Sequence, residues 1–291
     1  MGSKRIHSME KAPSFIFFGT PHLATIVLDE LEKEDFLPSL VVTAPDKPVG
    51  RGLKLTASPV KQWAQSHNIP TIEPETFDDT VLEKLRAQNA EVFIVVAYGK
   101  ILPAAVLHIP TKGILNVHPS LLPKFRGPSP VRSAILADEK VTGVTVMRID
   151  EKMDHGPILI QELYEPSSWP PNAQELDEYL FVRGGALLAQ VLPQYLLGAL
   201  LPQEQDHDAA TYCKLFKKED GLLNLSDDPY TNLLKIHAYA GWPGTYFFTE
   251  KDGKNVRIKV VSAHVENDSL ILDEVVPEGK GKMNYSEFLK G

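Results

Sequence analysis

Val92-Phe93-Ile94-Val95-Val96-Ala97 is apolar at every position and is followed at once by Tyr98-Gly99. A run this short and this uniformly apolar is a strand buried on both faces, and such strands belong to parallel sheets covered by helices. Phe15-Ile16-Phe17-Phe18 is a second run of the same kind. It ends at Gly19-Thr20-Pro21 and leads into a helical pattern from about Pro21 to Glu34. Leu40 to Thr43, Pro70-Thr71-Ile72 and Ile114 to His118 read as further strands, with helices from Ser58-Pro59 and from Asp78 to Gln88 between them. Strands alternating with helices predict an α/β chain with a Rossmann-like domain. The phosphate-binding pattern Gly-x-Gly-x-x-Gly is missing after the first strand, which argues against a dinucleotide site.

At 291 residues the chain has room for one large domain and a smaller one. The large domain is expected over 13–203, after an N-terminal extension over 1–12. The smaller domain follows over 204–291. Pro202 to Asp208 has the composition of a linker. Val141 to Ile149 alternates like a half-buried strand. Asn172 with Glu175 resembles a capping box, opening a helix whose apolar stripe runs through Leu176, Leu180, Leu187, Val191 and Tyr195. Short strands are expected at Thr245–Phe248, Val256–Ser262 and Ser269–Leu272. No apolar run reaches the length of a membrane span, so the expected location is the cytoplasm. The single cysteine, Cys213, excludes an internal disulfide and a cysteine zinc site. His108, His118 and His155 lack ligand spacing, and no metal is expected.

Three groups carry chemistry. On the strand Ile114 to His118, Asn116 and His118 are two residues apart and share a face. They stand at the carboxyl end of a strand, where open α/β sheets bind ligands, and Pro119 keeps the chain extended beyond them. Asp154, in the turn Asp150 to Gly156, is a third candidate. An amide donor, an imidazole and a carboxylate together suit acyl transfer to an amine. The amide and imidazole stabilise an oxyanion, the imidazole moves a proton, and the carboxylate orients it. The same residues also occur as a core histidine, a cap and a turn aspartate, and residue types alone leave both readings open. After the second strand, Ala44 to Thr56 is too long for an ordinary connection. It carries Lys47, Arg51 and Lys54 against Asp46 alone, with Gly50 and Gly52 around the arginine. Such a loop is either a solvated basic loop or an arm for a phosphate backbone. The formal net charge of -8 argues against a general polyanion binder but allows a local basic patch.

Asn116-Val117-His118-Pro119-Ser120-Leu121-Leu122-Pro123, with Arg126-Gly127 and Asp154-His155-Gly156, resembles the folate-dependent formyltransferases. Phe18 to Pro21, Pro45 to Pro48, Gly50-Arg51-Gly52, Ser58 to Lys61, Val95 to Gly99, Lys218 to Gly221 and Trp242 to Thr245 extend the likeness over most of the chain. The resemblance implies that Asn116, His118 and Asp154 are catalytic. It implies a donor, 10-formyltetrahydrofolate, against Ser120, Leu121, Leu122 and Pro123 and the loop around Tyr98 and Gly99. It also implies that the long loop, with Lys47, Arg51 and Lys54, meets the acceptor arm of initiator methionyl-tRNA, so that the amine is the α-amino group of methionine. The expected protein is a monomer without metal. Its C-terminal domain should be OB-like and shortened, and with eleven Lys or Arg against fifteen Asp or Glu from Glu204 onward, its expected share in tRNA binding is the weaker one. The alternatives are a formyltransferase for an amino-sugar nucleotide, a hydrolase of the formyl donor, and a non-catalytic folate- or RNA-binding protein.

Overall fold

A computed structural model describes residues 13–49, 54–251 and 253–290. The extension expected over 1–12 and Arg51 of the basic loop lie outside the described residues. The first half of the chain alternates as expected. In order it forms β1 (Phe15–Gly19), α1 (His22–Glu32), β2 (Leu40–Val42), β3 (Lys47–Val49), β4 (Lys54–Thr56), α2 (Pro59–Ser66), β5 (Thr71–Ile72), α3 (Asp79–Ala87) and β6 (Val92–Val96). Then come α4 (Ala104–Leu107), β7 (Ile114–His118), α5 (Pro130–Leu136), β8 (Thr142–Arg148), β9 (Ile158–Tyr164) and α6 (Ala173–Leu196). The remainder is α7 (Pro229–Ala238), β10 (Thr245–Lys251), β11 (Lys254–Glu266), β12 (Ser269–Pro277), β13 (Met283–Asn284) and α8 (Tyr285–Lys290).

The chain divides into two compact units. One holds the described residues up to Pro123, with Gly143–Glu162 and Glu178–Ala210. The other holds Lys124–Thr142, Leu163–Asp177 and the residues from Thr211 onward. The stretch expected as a linker therefore packs with the first unit through Ala210. Gln203 pairs with Ile158, and Gln205 is buried although its neighbours are polar.

A seven-stranded sheet in the order β5-β2-β1-β6-β7-β8-β9 forms the first unit's frame. β2, β1, β6 and β7 pair in parallel, and β8 joins antiparallel to β7. Phe15 to Phe18 and Phe93 to Ile94 are fully buried, as strands covered on both faces must be. The helices start where side chains satisfy their first N–H groups: Ser58 accepts from Lys61 N at 3.0 Å, and Asp78 from Val81 N at 2.9 Å. Strand order reverses between β1 and β6. The carboxyl ends of these two strands, with that of β7 beside them, form the crevice where such sheets take ligands. Thr20 Oγ1 ties the two ends together by donating to Tyr98 O at 3.1 Å.

In place of a plain loop after β2 there is a hairpin, β3 with β4, in the register Lys47↔Thr56, Pro48↔Leu55 and Val49↔Lys54. Its strands are too short and polar to announce themselves by alternation.

The second unit carries a four-stranded antiparallel sheet, β10-β11-β12-β13. Among the described residues this small OB-like domain has fewer strands than a full OB barrel. Ile236, Phe247, Ile258, Val260, Leu272, Val275 and Phe288 form its core. Buried positions on β11 run Ile258, Val260 and then Ala263, because a register shift between Val260 and Ala263 breaks the alternation. Strands β10 to β12 extend beyond the expected ranges, and β13 and α8 are additions that the sequence pattern does not predict. No helix among the described residues is long and apolar enough to cross a membrane.

Candidate active site

Asn116 and His118 lie on one face of β7, half-buried and buried respectively. β8 leaves the sheet at Arg148, opposite Leu115, and the following turn runs back so that Asp154 reaches His118. His118 Nδ1 and Asp154 Oδ2 are 3.8 Å apart, with side chains 5% and 18% exposed. This is ion-pair range, just beyond a direct hydrogen bond.

The turn that delivers Asp154 is held at several points. Gln205 Nε2 donates to Asp154 O at 2.9 Å and to Gly156 O at 2.6 Å. His155 Nδ1 pairs with Asp150 Oδ2 at 2.7 Å, and its ring stacks on His207 at 3.9 Å. Asp154 itself has φ of 48°, a left-handed conformation that aspartate tolerates better than most residues. At Gly156 any Cβ would stand 2.0 Å from Arg148 O, so only glycine lets the turn close against β8.

The Ser120 to Pro123 loop is fixed by residues that no motif announces. Thr145 Oγ1, fully buried on β8, donates to Ser120 O at 2.6 Å and accepts from Leu122 N at 3.2 Å. Gln161 Nε2 on β9 reaches Leu122 O at 2.8 Å and Thr145 Oγ1 at 2.9 Å. Ser120 N also returns to His118 O, and the Leu122–Pro123 peptide is cis. Alternation on Val141 to Ile149 sets Thr145 on the polar face, opposite Val144 and Val146, and nothing in the sequence says that it is buried with its hydroxyl serving a loop some twenty-five residues earlier.

Tyr98 is placed differently from a lining side chain. Its ring packs edge-on against Phe18 with centroids 5.6 Å apart, and it is 3% exposed. Its hydroxyl makes no hydrogen bond among the described residues, and burial pushes the phenol up to about 12. Gly99 has φ of 80° and open space around its Cα, so its backbone is accessible. On the hairpin Lys47 is exposed, and Lys54 stands at its register position opposite Val49. No cluster of three or more His, Cys, Asp or Glu suited to a metal occurs among the described residues.

A carboxylate-backed histidine beside an asparagine, at the switch-point crevice of a Rossmann-like sheet, is an arrangement that comparison with known proteins can place. The profile of the Formyl transferase family matches residues 14–166. Methionyl-tRNA formyltransferase of Chloroflexus aurantiacus is 43% identical over 300 residues, covering 95% of this chain and 96% of the relative. The chain belongs to the methionyl-tRNA formyltransferase family. The methionyl-tRNA formyltransferase from Clostridium thermocellum has the same fold, with a TM-score of 0.60 at 20% identity, covering 92% of this chain and 100% of that one. So does the N-formyltransferase from Helicobacter canadensis, in complex with folinic acid and dTDP-3-aminofucose, at TM-score 0.62 and 17% identity, covering 88% and 89%. The fold is thus common to formyltransferases that differ in acceptor, while the 43% identity lies with the methionyl-tRNA branch. The alignment to that relative spans more positions than this chain has residues, so the relative carries additional residues within the matched region.

Proposed function

We propose that this formyltransferase moves the formyl group of 10-formyltetrahydrofolate onto the α-amino group of methionine carried by initiator methionyl-tRNA. The observation that carries the reading is the shielded His118–Asp154 pair, 3.8 Å apart at the carboxyl end of β7. The amine attacks the formyl carbon directly and builds a tetrahedral oxyanion. Asn116 donates its amide to that oxygen. With Nδ1 turned to Asp154, the His118 ring offers Nε2 to the reacting centre. There it stabilises the oxyanion and carries the proton lost by the amine to the departing folate nitrogen. Asp154 orients the ring. One N–C bond forms, one breaks, and the proton count closes without a nucleophilic serine or cysteine.

The donor lies against Ser120, Leu121, Leu122 and Pro123 and the backbone of Tyr98 and Gly99. Lys47 and Lys54 of the β3–β4 hairpin, together with Arg51, meet the acceptor RNA. The first unit does the chemistry, and the small C-terminal domain assists with the RNA. For that assistance, Arg257 and Lys259 point outward from β11 opposite Phe248 and Tyr246 of β10. The Arg257 guanidinium lies over the Tyr246 ring at 3.9 Å. In this reading the protein acts as a cytoplasmic monomer with no metal.

His118→Ala tests the mechanism. Turnover should fall by about 10²–10⁴ while folate affinity, measured by calorimetry, stays near that of the wild type. Undiminished turnover would overturn the assignment.

A further inference from the structure

The basic hairpin would be a poor RNA-binding arm if its base were loose, because a charged loop free to sample many directions forfeits affinity in ordering. Its base is joined at two levels. Thr43 Oγ1, where the chain leaves β2, and Ser58 Oγ, where it enters α2, are 2.7 Å apart and both buried. One turn into α2, Lys61 Nζ lies 2.8 Å from Asp46 Oδ1, the residue just before β3. The same ammonium lies 2.8 Å from Glu73 Oε1, just after β5. Its side chain is only 17% exposed, and the two carboxylates hold its pKa above the usual lysine value, Asp46 first and Glu73 second. The segment carrying Glu73 is itself anchored: Lys100 Nζ donates to Pro74 O at 2.7 Å and to Glu75 O at 3.1 Å. One cation thus connects the foot of the hairpin to a fixed part of the sheet.

We propose that Lys61 is a positioning residue for the acceptor RNA, setting the direction of the β3–β4 hairpin by holding Asp46 against Glu73. The inference rests on the reading that this hairpin meets the RNA. Without the ammonium, two carboxylates would face one another at the hairpin's foot and drive it away from the sheet. Lys61 itself contacts no substrate, and a partly exposed ion pair contributes little to global stability. Its loss should therefore appear in acceptor recognition.

The test compares Lys61→Met, Lys61→Arg, Arg51→Leu and the Lys61→Met/Arg51→Leu double variant in the full chain. Methionyl-tRNA and 10-formyltetrahydrofolate are varied in turn. Lys61→Met should raise KM for the charged tRNA on the order of tenfold, since small misplacements of a binding element are costly. KM for the donor, kcat and the thermal midpoint should stay close to wild type, and Lys61→Arg should restore tRNA recognition. The double variant should bind tRNA no worse than Arg51→Leu, because both substitutions act through the same arm. An unchanged KM for tRNA in Lys61→Met, beside a raised one in Arg51→Leu, would overturn the role of Lys61 and leave the arm standing. If Arg51→Leu also left that KM unchanged, the arm reading itself would fall. A rise in both KM values with a lowered thermal midpoint would make Lys61 merely structural and equally overturn the proposal.

Discussion

Thr145 shows how much of a site can depend on a residue with no chemistry of its own. Its hydroxyl gives one hydrogen bond to Ser120 O and receives two, from Leu122 N and from Gln161. Thr145→Val keeps the shape and leaves a buried N–H and a buried carbonyl short of a partner. Unsatisfied buried groups cost about 1–3 kcal/mol, so the denaturant midpoint should drop. The loop should also loosen where the donor is proposed to bind, raising KM for the folate while kcat at saturating donor holds. A variant with unaltered donor KM would separate this loop from folate binding. At this scale the sequence is legible in part. Asn116 and His118 can be placed on one face by counting along a strand, and Asp154 by its motif. Thr145, Gln161 and Gln205 cannot, because their partners are backbone carbonyls far along the chain, and a backbone carbonyl leaves no trace in residue type. Tyr98 is legible as a position beside the site, but not as a ring turned into the core against Phe18.

Among the elements, the central strands are the most legible because burial on both faces demands unbroken apolar runs. β11 is longer than its pattern suggests because its bulge interrupts the alternation that defines a strand. The β3–β4 hairpin is hidden for another reason: three-residue strands carrying lysine and proline have no apolar face to display. Helix α7 supports a prediction of its own. His237, on its last turn, has Nδ1 buried without a hydrogen-bond partner among the described residues. Burial holds its imidazole below the usual 6.5, against smaller opposing effects of the Pro171 backbone and Glu175. The unfolded chain therefore takes up a proton on falling through pH 6.5 that the folded chain refuses. Stability from this group is fully present above 6.5 and is lost as pH falls toward the lowered folded value. In urea titrations between about pH 7 and 5, the wild-type midpoint should decline more steeply than that of His237→Gln. Parallel declines would remove His237 as the cause.

At the scale of the whole molecule, an acidic chain must recruit an acidic ligand, so its cations have to be gathered locally. Composition alone shows a C-terminal region with more acids than bases. The sheet register shows what composition hides, that Arg257 and Lys259 share the outward face of β11 with Tyr246 and Phe248 alongside. Replacing Arg257 and Lys259 together by alanine should weaken tRNA binding. It should also reduce the dependence of log affinity on log salt by about 1 for each phosphate that these two cations neutralise in the wild type. An unchanged salt slope would confine RNA binding to the first unit. The central claim, however, concerns the acceptor amine, and fold alone does not distinguish acceptors within this group of enzymes. The most direct measurement is formyl transfer from 10-formyltetrahydrofolate to initiator tRNA charged with methionine, run beside uncharged tRNA and an amino-sugar nucleotide. Formylation of the charged tRNA alone is the predicted result. Transfer to the sugar nucleotide with none to the charged tRNA would contradict it.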